Sequence, residues 1–144
     1  GLILLPLVSL FVNFSSQNIS RDFEAIAYTW ETLAIVESGA IIITDDDPHT
    51  FALWYGRYAL RLRPDVAVVH AHLLPYAWYG QTLRHNHPHL NLSAPVDSIS
   101  LSRFIALNLP DSPIYLANLQ STTVSDYQLE PVQHLYRVTP VTTD

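Results

Sequence analysis

Three consecutive carboxylates, Asp45, Asp46 and Asp47, close the apolar run Ile41-Ile42-Ile43-Thr44, and Pro48 and His49 follow directly. A second apolar run, Val66-Ala67-Val68-Val69, ends in His70-Ala71-His72. Carboxylates grouped with imidazoles suit a hard-to-borderline divalent cation. A carboxylate beside a histidine is also a general acid–base pair. The same groups could contact a small ligand or glycan. They could equally be structural, with Asp47 capping a helix, Asp45 or Asp46 facing water and the histidines bonded to backbone carbonyls. The spacing alone does not choose among these roles. The candidate ligand-binding residues are therefore Asp45, Asp46, Asp47, His49, His70 and His72. None is assigned a catalytic or metal-ligand role, and no cofactor is expected.

The elements that would position these side chains follow from periodicity. Ala40 to Thr44 is β-branched and does not alternate, as expected of a strand covered on both faces. Asp47 is read as the N-cap and Pro48 as the first residue of a helix. That helix would bury Phe51, Trp54, Tyr55, Tyr58, Ala59 and Leu62, and end at Arg63-Pro64-Asp65. Val66–His70 is the next strand, at the interval of a parallel crossover unit. Both sets of candidate residues then reach one edge of the sheet, where open α/β sheets hold their ligands.

Upstream, Ser20 is read as the cap of a helix with Phe23, Ile26, Ala27, Trp30, Leu33 and Ala34 as its core face. Downstream, Pro75 opens a helix through Tyr76, Trp78, Tyr79 and Leu83. Asp97 or Ser98 caps another, Ile114–Asn118 is a strand, Gln120–Asp126 a polar loop, and His134–Val138 the last extended element. His85, His87 and His89 have the composition of a metal-binding tract, but without strand periodicity a solvated loop is expected. The fold class is α/β: three-layer, with a small, mostly parallel sheet and Rossmann-like βαβ units.

The chain has 144 residues, the length of one domain. It contains no cysteine, which excludes disulfides and thiolate chemistry. The net charge is −6, and the seven cations are all arginine with no basic stripe, which argues against nucleic-acid binding. Charged residues make up only 14%, so the surface is apolar enough to suit lying against something else. None of the four glycines forms a G-x-G phosphate loop, there is no G-x-S-x-G elbow, and no lysine is available for a Schiff base.

Methionine is absent, as expected of an excised or processed piece. Gly1–Val12 is apolar but too short to cross a bilayer. It reads either as the trailing end of a transmembrane helix or as a first core strand. The abrupt polar switch at Asn13 favours the former. Residues 1–14 are thus expected to be membrane-proximal and 15–144 a single α/β extracytoplasmic domain.

Ser20-Arg21-Asp22, Gly39-Ala40-Ile41 through Asp47, Thr50-Phe51-Ala52-Leu53-Trp54-Tyr55, Arg63-Pro64-Asp65-Val66 and Trp78-Tyr79 carry a resemblance. Best between Asn18 and Gln81, it is to the soluble C-terminal region of a bacterial domain-of-unknown-function family of multi-span membrane proteins. That family is similar to protein O-mannosyltransferases and to a related animal transmembrane protein. Its turn usually reads Thr-Asn-Gly-Asp-x-Asp-Thr-Phe. Here Asp45 and Asp46 replace Asn-Gly, His49 replaces the second Asp, and Asp47 matches.

The resemblance implies a membrane-anchored domain on the extracytoplasmic side. Its partners would be the membrane-embedded remainder of the same polypeptide and a glycan or protein acceptor. Any sugar transfer would use acidic residues of a membrane-side loop outside this chain. The expectation is a non-catalytic accessory domain of a glycosyltransferase-like membrane protein. The alternative is a self-sufficient α/β metal- or small-ligand-binding enzyme using the acidic turn and the strand-end histidines.

Overall fold

The computed structural model describes residues 23–92, 98–117 and 126–141. The apolar segment 1–14, the Ser20 cap, Asp97 and all of the 120–126 loop except Asp126 lie outside the described residues. Three short apolar runs form the central strands β1 (Ile41–Thr44), β2 (Ala67–His70) and β3 (Ile114–Ala117), every residue of which is buried. That double-sided burial is why none of them alternates. β1 lies between the other two and parallel to both, with Ile42 opposite Val68 and Tyr115. β4 (Tyr127–Val132) pairs with β5 (Leu135–Pro140), and β5 runs antiparallel to β3. The order is β2-β1-β3-β5-β4.

The α/β class stands, but two of the four pairings are antiparallel, so the sheet is mixed rather than mostly parallel. β4 had no counterpart in the sequence reading. Its Pro131 argues against a central strand, but β4 is an edge strand, where a missing N–H costs nothing.

Helix α1 spans Glu24–Ile35, and α2 spans Asp47–Trp54 before widening into a π-helical turn at Tyr55–Ala59. A 3-10 turn at Ala71–Leu73 leads to α3 (Ala77–Asn86), and α4 covers Leu101–Asn108. The cap of α4 is Ser100, whose hydroxyl accepts the Arg103 N–H, and not Asp97 or Ser98. Ile41, Ile43, Val69 and Leu116 pack with Tyr79, Leu83, Phe104 and Ile105 in one core cluster. Ile42, Val68, Tyr115 and Leu135 pack with Leu33, Val36 and Leu53 in another.

Two helices are turned away from their expected faces. In α1 the buried residues are Thr29, Thr32 and Leu33, while Phe23 and Trp30 are 62% and 54% exposed. The threonines tolerate burial because each has a partner. Thr29 Oγ1 donates to Ala52 O at 2.9 Å, and Thr32 Oγ1 lies 2.7 Å from His134 Nε2. In α2 and its π turn, Thr50, Leu53 and Gly56 are buried, and Phe51, Tyr55 and Tyr58 are not. Gly56 is required by the close crossing of α1, because a Cβ there would collide with Thr29 Cγ2.

One side chain ties these elements together. Arg63, at the unusual φ of 44°, sends Nη1 to the Leu33 and Val36 carbonyls and Nη2 to the Glu37 carbonyl, so it caps the end of α1. Its Nε and Nη2 also form a fork onto Asp65 at 3.0 and 2.9 Å. Asp65 Oδ2 in turn accepts the Gly39 N–H at 3.1 Å. The Arg63 guanidinium holds the Asp65 carboxyl well below the usual carboxylate range. Arg63→Lys keeps the charge but loses the planar fork and most of the carbonyl caps. Urea unfolding should show a loss of about 1.5–3 kcal/mol as a lower midpoint with unchanged slope.

Candidate functional site

The parallel register places Thr44 opposite His70, so the acidic turn and the histidine pair meet at the carboxyl ends of β1 and β2. The N-cap of α2 is Asp46 and not Asp47. Asp46 Oδ1 accepts the His49 backbone N–H at 2.9 Å, and Pro48 follows Asp47 in the first turn. The same carboxylate lies 2.6 Å from His49 Nδ1, so the cap and a hydrogen bond to the ring share one group. The Tyr28 ring packs on the His49 ring at 4.6 Å. Burial, with help from the Asp46 charge, raises the Tyr28 phenol.

Relieved of capping, Asp47 reaches across to β2. Its Oδ1 lies 3.4 Å from His70 Nε2 while the rest of its side chain faces solvent. His70 is buried, and its Nδ1 accepts the His72 backbone N–H at 3.2 Å. An acceptor Nδ1 puts the proton of the neutral ring on Nε2, the nitrogen nearer Asp47. Nδ1 is therefore engaged, and Nε2 has the exposed Asp47 carboxylate as its neighbour. Asp45 completes the edge. Burial and the neighbouring Asp46 raise its carboxyl, and His72 and His70 pull it back.

The six candidate residues thus form two adjoining groups. Asp46 and His49 close on each other, and Asp47, His70, Asp45 and His72 line the strand ends. Among the described residues no three acidic or imidazole groups converge in a way that could hold a metal ion. The expected backbone-carbonyl partners of the histidines are replaced by a backbone N–H and a carboxylate.

Beside this edge lies a feature that periodicity did not mark. A cavity of about 330 Å³ is walled by Trp54, Tyr58, Trp78 and Tyr79, floored by Val68 and Leu73, and has Thr82 and Asn86 among its lining. β2 is the open edge of the sheet, and its outward groups are closed by side chains rather than by another strand. Arg57 Nε donates to Val66 O at 2.7 Å, Trp54 Nε1 donates to Val68 O at 3.2 Å, and the His70 N–H donates to Tyr79 Oη at 2.8 Å. Burial pushes the Tyr79 phenol up to about 12, so it stays protonated. The polar ends of Trp54 and Tyr79 are spent on the strand, leaving ring surface to line the cavity. The aromatic spacing was visible in the sequence, but the edge position of β2 that gives it meaning was not.

A protein-family model described as TMEM260-associated domain 2 matches residues 25–133, most of the chain. The chain belongs to that family. No curated protein and no solved structure matches it. The family match spans β1, the acidic turn, the Arg63-Pro64-Asp65-Val66 segment, the aromatic wall and β2. Within this member of the TMEM260-associated domain family, Trp54 and Trp78-Tyr79 act as edge cover and cavity wall.

His87 departs most from expectation. It is only 2% exposed rather than solvated, and its Nε2 lies 3.0 Å from Tyr58 Oη behind the cavity. Burial, then Arg57, then His89, brings its imidazole down to about 4. Above its ordinary value near 6.5 the ring is neutral folded or unfolded, so it adds no pH dependence there. Below about 6.5 the unfolded chain takes up a proton that the native chain refuses until about 4. Stability should therefore fall across that window by on the order of 2–3 kcal/mol from this group. His87→Gln should flatten that part of a denaturation series run from pH 7 to pH 4.

Proposed function

We propose that this domain is a non-catalytic accessory module of a glycosyltransferase-like membrane protein of the protein O-mannosyltransferase kind. It stands on the extracytoplasmic side, is held by the membrane-embedded remainder of its polypeptide, and contacts glycan or protein acceptor through the acidic turn. Membership of the TMEM260-associated domain 2 family carries this reading. The site geometry supports the non-catalytic part, because His70 is buried with its Nδ1 taken by the His72 amide and Asp46 is committed to capping α2. Asp47, largely exposed at the strand ends, and Asp45 beside it are the groups left to meet a ligand. Among the described residues no helix is long and apolar enough to cross a membrane, which suits a module attached to spans elsewhere.

Contact without chemistry has a distinct kinetic signature. Asp45→Asn with Asp47→Asn, placed in the full parent protein, should raise the acceptor KM about tenfold, the worth of one charged contact near 1.4 kcal/mol. Turnover at saturating acceptor should stay within about twofold. Loss of saturated turnover would assign these carboxylates to catalysis, and unchanged kinetics would remove them from the acceptor path. Sugar-transfer assays over an acceptor concentration series separate the three outcomes.

A further inference from the structure

Helix α1 faces the wrong way for a helix of an isolated globular domain. Its threonine side is buried against α2 and its apolar side looks outward. Phe23 at the cap, Ile26, Ala27, Trp30 and Ala34 are all exposed. At about 100° per residue they fall within an arc of about 100°. No charged residue interrupts that arc. Glu24 and Glu31 both lie to one side of it, roughly 90–110° from its centre. The helix is not simply rotated from a better position, because Thr29, Thr32 and Leu33 are fully engaged on the inner side.

We propose that this outward face of α1 rests in the headgroup region of a lipid bilayer. This places the contact surface of the module and depends on its belonging to a membrane protein. Two observations favour lipid over another protein surface, and a third sets the kind of lipid. The face is charge-free and carries aromatic rings, which settle at the membrane–water interface. The chain just before α1 contains the apolar run Gly1–Val12, joined to it by the ten residues 13–22. That connection reaches at most roughly 33–36 Å, so a bilayer holding the apolar run keeps α1 within that distance of it. The net charge of −6 gives no attraction to anionic headgroups, so the matching surface is zwitterionic.

The absence of cysteine allows a clean test. Ala27→Cys places an environment-sensitive dye on the face, and Ala106→Cys on α4, which packs with the other core cluster, serves as control. With the 144-residue chain and phosphatidylcholine vesicles, the dye at 27 should brighten several-fold and shift to the blue while the dye at 106 does not change. Replacing Phe23, Ile26 and Trp30 by serine should abolish the response at 27 even if the apolar run still carries the chain onto vesicles. Equal responses at 27 and 106, or no vesicle binding, would overturn the proposal. So would a dye at 27 shielded without vesicles, whether by a second copy as protein concentration rises or by the chain's own segment, released when residues 2–12 are deleted. The acceptor kinetics of the parent are read separately, so a failure here leaves the accessory-domain reading to its own test.

Discussion

The Arg63 guanidinium is the constraint on which the arrangement depends. It ends α1 by taking the carbonyls of Leu33, Val36 and Glu37, and through Asp65 it also reaches the Gly39 amide just before β1. The turn into β2 and the entry to β1 are thereby pinned to one planar group. A positive φ at a non-glycine residue is costly. It persists at Arg63 because the fork, the carbonyl caps and the following Pro64 over-determine it. If the register of β1 against β2 depends on this knot, so does the meeting of Asp47 with His70. The Arg-Pro-Asp-Val segment looks like a helix stop in sequence, and structurally it is the clamp that aligns the site.

A second constraint follows from β2 being an edge. Short parallel strands with an open side invite pairing with another chain. Here an arginine, an indole and a phenol close that side instead. This explains why so aromatic a segment follows the acidic turn. Trp54 and Tyr79 serve the backbone with their polar ends and the cavity with their rings, whereas Phe51 and Tyr55 remain exposed. Apolar character along α2 therefore has two uses, and only part of it is core.

Where the sequence was readable, the signal was local and unambiguous. The runs at Ile41–Thr44 and Ala67–His70 could only be buried strands, and their ends had to share an edge. Helical periodicity, by contrast, identifies an apolar face without saying what covers it. In α1 that face is outside, because Thr29 and Thr32 satisfy their hydroxyls within the fold, a compensation invisible in one dimension. The cap moved by one residue, from Asp47 to Asp46, for a similar reason. Any of three adjacent carboxylates can cap, and His49 decides by offering both its amide and its ring to Asp46. His87 was read as solvated because its segment lacks strand periodicity. It is buried because Tyr58, far off in sequence, supplies its partner.

That one-residue shift of the cap changes what the acidic turn can do. Had Asp47 capped the helix, the carboxylates left to face outward would have been Asp45 and Asp46. With Asp46 at the cap, Asp47 becomes the outward arm of a pair whose other member, His70, is buried and held in one tautomer by the His72 amide. A histidine used as a base needs a free nitrogen and room to exchange its proton. His70 is buried, with Nδ1 taken by the His72 amide, and the exposed Asp47 carboxylate lies 3.4 Å from Nε2. The turn thus presents an exposed carboxylate beside a buried imidazole, a geometry that suits the recognition role proposed above.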